Sequence, residues 1–249
     1  MKKFRMITFQ YFNAITNMGL DEAIMEFVRK GISQPTIRFY GWDPSAVSIG
    51  VFQGVRNEVN LDATKKAGVD VVRRLTGGGA VYHDRLGEVT YSLIAPLEMF
   101  PTNIIESYRV ICDDIIFALK ELGIDAVFSP INDLLVNEQK ISGNAQTRRN
   151  GILLQHGTIL YSVDVETMFS LLNVSDQKIS DKLIKSVQKR VTSVVDQTGV
   201  SMEELKNALI QGFQRNRNIE FGTYSEQEIH RAQELVQERF NNDVWTFRL

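Results

Sequence analysis

The chain has 249 residues, enough for one large domain or a domain with a small appendage, and its 43% hydrophobic content is ordinary for a globular protein with a substantial core. Its 28 basic and 30 acidic side chains nearly cancel, leaving a formal net charge of -2, so bulk attraction to nucleic acid or an anionic membrane is not expected. The single cysteine, Cys112, excludes an internal disulfide framework and any multi-thiolate metal site, and it fits a reducing compartment.

The opening Met1-Lys2-Lys3-Phe4-Arg5-Met6 lacks the apolar run of a signal peptide, and no segment approaches the length of a membrane span, so a cytoplasmic location is expected. Leu20, Ile24, Phe27 and Val28 then recur at helical spacing after Asn17, which predicts an amphipathic helix opened by that asparagine. Ile37 and Phe39, then Val47 and Ile49, alternate as on short strands, separated by the turn residues Gly41, Asp43 and Pro44. Residues 61–67 read as a helix capped by Asn60 and stopped by Gly68. Residues 69–72 read as a buried strand, Ala80-Val81-Tyr82 continues as another, and Val89, Tyr91 and Leu93 alternate on a third. A helix over 104–122 carries Ile104, Tyr108, Ile111, Ile115, Leu119 and Leu122 on one stripe, with Gly123 at its stop.

Strand-like segments follow at 134–136, 140–146 and 152–161, the last two joined by Asn150-Gly151, a strong hairpin signal. Beyond them Val165, Met168, Phe169 and Leu172 have helical spacing, and Ser201-x-x-Glu204 and Ser225-x-x-Glu228 are capping boxes. The pattern describes one α+β domain over 1–249, with a mixed or antiparallel sheet that carries the site, packed helices and a helical C-terminal quarter.

Two clusters carry chemistry. Arg73-Arg74-Leu75-Thr76-Gly77-Gly78-Gly79-Ala80-Val81-Tyr82-His83-Asp84 joins guanidinium groups to three glycines just after an apolar strand. Glycine lets the backbone approach a ligand closely, so N–H groups can converge on an anion that arginine neutralises. The P-loop string is absent, and the dinucleotide fingerprint fails because a strand rather than a helix follows. The second cluster, around Asn132-Asp133-Leu134 and Lys140-Ile141-Ser142-Gly143, places a lysine in an otherwise neutral strand, where a half-buried ammonium needs an anionic partner.

Together with Gln155-His156-Gly157-Thr158, Arg38-Phe39-Tyr40 and Ile49-Gly50-Val51-Phe52-Gln53, these clusters closely resemble the lipoate-protein ligase A family of the biotin/lipoate ligase superfamily, from the first helix to the end of the chain. The resemblance implies a class II biotin/lipoyl synthetase-like catalytic domain. It implies ATP-dependent activation of lipoate to lipoyl-AMP, with magnesium on the triphosphate, and transfer of the lipoyl group to a lysine of an apo lipoyl domain. The acceptor would be an E2 subunit of an oxo-acid dehydrogenase or a glycine-cleavage H protein. By the same matching Arg74, Gly77, Gly78, Gly79, Ala80, Val81, Tyr82, Asn132, Asp133 and Lys140 would hold ATP or the adenylate, and Lys140 would be the catalytic residue. Arg74, His83, Lys140, Gly143 and His156 would meet lipoate; no dedicated metal cage is visible.

The chain departs from the family pattern in two ways. Many such ligases carry a further small C-terminal domain, which a separate accessory subunit could supply here. ATP-independent octanoyl or lipoyl transferases of the superfamily need a nucleophilic cysteine, and Cys112 lies beside the apolar stripe of residues 104–122, as a buried structural thiol would. The position before Asn132, where some transferases carry the cysteine, reads Phe128-Ser129-Pro130-Ile131. On those grounds the ligase is preferred, with an ATP-free transferase, a noncatalytic lipoyl-nucleotide binding subunit and a biotin ligase as alternatives.

Two expectations remain open to geometry. A regular Asn150-Gly151 hairpin puts Lys140 and His156 on opposite faces, and a bulge near Gly143 would bring them to one. Lys178, Lys182, Lys185 and Lys189 recur at helical spacing, a solvated face or a dock for an acidic lipoyl domain.

Overall fold

The computed structural model describes residues 3–173 and 190–249; the lysine stripe lies outside them. An eight-stranded mixed sheet runs in the order β11-β1-β2-β6-β10-β9-β8-β7, and a three-stranded sheet in the order β4-β3-β5. The strands are β1 Lys3–Phe12, β2 Thr36–Trp42, β3 Ala46–Ile49, β4 Asp70–Arg73, β5 Val81–His83, β6 Glu88–Pro96, β7 Val127–Ser129, β8 Asp133–Val136, β9 Gln139–Arg149, β10 Ile152–Leu160 and β11 Asn218–Phe221. Strand β1 pairs in parallel with β2 and β11, while β2–β6, β6–β10, β10–β9, β9–β8 and β8–β7 are antiparallel. The fold is the α+β arrangement that the pattern of elements implied.

Helices cover both faces of the large sheet. Ile111, Ile115 and Leu119 of α4 (Ile104–Glu121) and Leu209 and Phe213 of a later helix, Met202–Gln214, share one core with Ile37, Phe39, Tyr91 and Leu93. On the opposite face Met18 and Ile24 of α1 (Ala14–Arg29) and Leu235 of the helix Glu226–Leu235 pack on Tyr40, Trp42, Ile94 and Leu154. With both faces covered, every residue of β2 is buried.

Local signals placed several elements well. The helix Leu61–Ala67 is capped by the Asn60 side chain and ends on Gly68 at φ 66°. Both capping boxes form. Asn150 and Gly151 take φ of 51° and 77° in a two-residue hairpin turn between β9 and β10.

The first helix starts a turn earlier than expected. Asn13 is its cap, accepting from the Thr16 N–H, while Asn17 is buried and donates to the carbonyls of Phe12 and Gly41 at 3.2 and 3.0 Å. Asparagine competes for any nearby backbone group, so the spacing of apolar residues alone did not decide which of the two caps. The C-terminal quarter is not wholly helical either: β11 pairs in parallel with β1. Parallel pairing between residues so distant in sequence leaves no local trace.

Glu228 anchors this region. It is buried at the capping-box position of the helix Glu226–Leu235 and accepts both terminal nitrogens of Arg5 at 2.8 and 2.6 Å, the Ser33 hydroxyl at 2.7 Å and the Ser225 N–H at 2.9 Å. Burial pushes its carboxyl up, but these donors outweigh that and hold it below its ordinary value of 4.5. A depressed carboxylate contributes stability above the unfolded pKa and loses it as pH falls through the folded one. Glu228→Gln is expected to cost about 3 kcal/mol in urea unfolding at neutral pH, and the difference from wild type should shrink on acidification below pH 4.5. A pH-independent difference would refute this assignment.

Candidate functional site

A cavity of about 320 Å³ opens between the small sheet, the glycine loop and strands β6, β9 and β10. It gathers Arg74, Gly78, Gly79, Ala80, Val81, Tyr82, His83, Asn132, Lys140, Gly143 and His156 from the set expected on sequence grounds. Gly77 and Asp133 stand behind the wall: the Gly77 carbonyl is held by Arg74, and Asp133 lies against Lys140.

Arg74 is buried, and its donors go to neutral oxygens. Nε donates to the Thr76 hydroxyl at 3.1 Å, Nη1 to the carbonyl and hydroxyl of Ser48 at 3.1 Å, and Nη2 to the carbonyls of Gly77 and Gly79 at 2.7 and 2.8 Å. Burial lowers its guanidinium to about 10, and no carboxylate pairs with it among the described residues. Arg74 therefore shapes the loop, and its uncompensated charge favours negative charge developing in the cavity. Arg73 turns the other way and ties the carbonyls of Gly50, Gln53, Trp245 and Thr246 together.

The two histidines differ in their surroundings. His83 Nε2 lies 2.8 Å from Ser48 Oγ and its Nδ1 lies 2.7 Å from Glu88 Oε1. His156 Nε2 lies 2.7 Å from Thr76 Oγ1, and its Nδ1 is 3.4 Å from Asp21, which also pairs with Arg38 at 2.8 Å. Burial lowers the His156 pKa against the pull of Asp21.

The bulge exists, two residues from where it was expected. The β9–β10 ladder is regular from Arg149–Ile152 to Ser142–Ile159, but against β8 the register skips Ile141. Ile141 enters the core while Lys140 joins His156 on the cavity wall. The Lys140 ammonium, half-exposed, makes a charge contact with Asp133 Oδ1 at 2.7 Å that is not an aligned hydrogen bond.

Cys112 is buried in the core of α4, its thiol pushed up to about 12 by burial, and it does not line the cavity. That agrees with its reading as a structural thiol. Ser48, Glu88, Thr90 and Trp42 were missed as cavity residues. Ser48 sits between the apolar Val47 and Ile49, and its polarity at a buried strand position was the one available signal. Glu88 gave none, since a turn separates it from His83.

The model of the lipoyl protein ligase A/B catalytic domain matches residues 13–214. The chain belongs to that family. Octanoyltransferase LipM of Geobacillus kaustophilus is 36% identical over 261 residues, 93% of each chain. The bi-partite lipoate protein ligase described with its E2 lipoyl domain from Thermoplasma acidophilum superposes with a TM-score of 0.89 at 34% identity, over 99% of this chain and 97% of that one. A second T. acidophilum structure, with bound lipoic acid, superposes at 0.85 with 31% identity, each chain covered in full.

These relatives correct the activity expected from the sequence. The curated proteins similar along nearly the whole chain are octanoyltransferases, so the ATP-dependent, adenylate-forming ligase does not stand, and ATP and magnesium lose their support with it. The physical reason lies in Arg74. The residues read as a phosphate cradle are the ones whose oxygens consume its donors, so they do not by themselves call for a triphosphate.

Two glycines separate shape from function. A Cβ on Gly143 would lie 2.7 Å from Lys140 Cε and Nζ, the end of a flexible side chain, whereas one on Gly50 would lie 2.1 Å from the Gly78 carbonyl oxygen. Gly143→Ala should fold with near wild-type stability yet lose activity by displacing the ammonium, while Gly50→Ala should lose about 1–3 kcal/mol in urea unfolding. Equal losses of stability would contradict this division.

Proposed function

We propose that this chain is an acyltransferase that moves an octanoyl group from a thioester carrier to the ε-amine of a lysine on a lipoyl-domain acceptor, without ATP. The observation that carries this reading is the similarity along 93% of its length to a protein named octanoyltransferase. The acceptor class is suggested by the structural relative described with its E2 lipoyl domain. Chemistry supplies the donor class. A free carboxylate does not form an amide unaided, so without ATP the acyl group must arrive activated, and a thioester is such a form.

The cavity suits that reaction. It has the volume of a small-molecule site, and the side chains of Met18, Val81, Leu160, Met168 and Leu172 offer apolar surface to an alkyl chain. Among the described residues its lining cations are Arg74 and Lys140. As the thioester carbonyl turns tetrahedral, negative charge grows on its oxygen, and fixed cations in a partly dry cavity stabilise that charge more than they stabilise the neutral ground state. Lys140, reaching in from β9 and resting against Asp133 at 2.7 Å, is the cation on a flexible side chain that can swing onto the carbonyl. The reaction does not run through Cys112, which is out of reach of the cavity.

Mass spectrometry of an apo lipoyl-domain acceptor tests this directly. Incubation with the chain alone and octanoyl-pantetheine should add one octanoyl group without ATP or an accessory subunit. Lys140→Ala should slow the addition by about 10²–10³-fold, the worth of an oxyanion partner. Cys112→Ser should transfer at close to the wild-type rate. A mass gain seen only with free octanoate or lipoate and MgATP would overturn the proposal.

A further inference from the structure

Acyl transfer without an accessible thiol leaves the nucleophile unassigned, and the buried end of the cavity holds a hydroxyl, an imidazole and a carboxylate in series. Ser48, His83 and Glu88 come from β3, β5 and β6, and all three line the cavity. Their spacings are 2.8 Å from Ser48 Oγ to His83 Nε2 and 2.7 Å from His83 Nδ1 to Glu88 Oε1.

The partners of the series suit a proton running from Ser48 to His83. Arg74 Nη1 can only donate, so Ser48 Oγ accepts from it at 3.1 Å, which leaves the hydroxyl proton available to His83. At the other end the Trp42 indole N–H donates to Thr90 at 2.9 Å, and Thr90 donates to Glu88 Oε1 at 2.7 Å. The Glu88 carboxylate, an acceptor, takes the proton of His83 Nδ1. In the tautomer with its proton on Nδ1, the ring presents the Nε2 lone pair to Ser48. Trp42 stacks on the imidazole at 4.0 Å and 19°, which fixes its plane. A hydroxyl within hydrogen-bond reach of a base that a third group orients is the arrangement of an activated nucleophile.

A second series in the same protein serves as a contrast. Arg74 Nε also feeds Thr76, which faces His156 and then Asp21. Neither Thr76 nor Asp21 lines the cavity, and Asp21 already accepts from Arg38 and Ser92. Of that series only His156 reaches the cavity wall, so it presents no hydroxyl to a ligand, whereas all three members of the Ser48 series line the cavity.

Resting on the acyltransferase reading, we infer that Ser48 Oγ receives the octanoyl group as an ester, with His83 as general base and Glu88 as the residue that positions it. In the first step the Ser48 Oγ–carbon bond forms and the carbon–sulfur bond breaks. The hydroxyl proton passes to His83 Nε2 and on to the departing thiolate. In the second step the acceptor amine attacks the ester carbonyl, the carbon–Oγ bond breaks, and a proton from the amine returns through His83 to Ser48. The oxyanion of each step develops in the field of Arg74, whose Nη1 touches Ser48 Oγ, with Lys140 as the cation that moves onto it.

Intact-mass analysis of the full chain, acid-quenched after mixing with octanoyl-pantetheine and no acceptor, tests the relay. One octanoyl group is expected, mapped to Ser48, stable to neutral hydroxylamine and released under alkaline conditions as an ester is. Ser48→Ala should carry no label and transfer slower by on the order of 10³-fold or more. Ser48→Cys should carry a label that neutral hydroxylamine removes, which decides the matter if the alanine variant does not fold. His83→Gln should slow labelling by about 10²–10⁴-fold, as loss of a general base does. Transfer by the wild type with Ser48 unlabelled and Ser48→Ala active overturns the relay while leaving the transferase standing, as does a label found as an amide on Lys140. Failure of the wild type to transfer from the thioester overturns the transferase reading itself.

Discussion

A buried guanidinium with no carboxylate partner among the described residues organises the cavity. Arg74 sits at the junction of the small sheet, the glycine loop and the central strands, and its donors bind Ser48, Thr76, Gly77 and Gly79. Each of those bonds replaces a bond to water that the cation gave up on burial, so the loop and the cation hold one another in place. The loop needs glycine for this: Gly78 takes φ of 95°, and a Cβ there would lie 2.9 Å from Arg74 Nη2.

From Arg74 a continuous series of hydrogen bonds runs both ways through the interior. One arm passes through Thr76, His156 and Asp21 to Arg38, which stacks over Tyr40 at 3.9 Å between α1 and the sheet. The other passes through Ser48, His83, Glu88 and Thr90 to Trp42. In a low-dielectric interior such a network is costly unless satisfied at each member. Its reward is a fixed orientation for two imidazoles on the cavity wall.

Relatives named as lipoate-protein ligases and as octanoyltransferases both match this frame along nearly the whole chain. That is why motifs that resemble a lipoate-protein ligase were sufficient to identify the family but not the activity of the relatives that match along the full chain. Cys112 misled in the same way. Its burial was legible from the helical stripe, yet a cysteine outside the cavity excludes one nucleophile and not the reaction class.

The sequence by itself determined what depends on neighbouring residues: the cap and stop of the helix Leu61–Ala67, the Asn150-Gly151 turn, both capping boxes and the apolar stripe of the helix Ile104–Glu121. Turn dihedrals, side-chain caps and helical spacing act over a few residues, so they are written locally. Tertiary structure alone decided the parallel pairing of β1 with β11, the one-residue skip at Ile141 that brings Lys140 to the wall, and the convergence of Ser48, His83 and Glu88 from three strands in two sheets. Those depend on strand register and on which faces are covered, and register is set by packing between segments far apart in the chain.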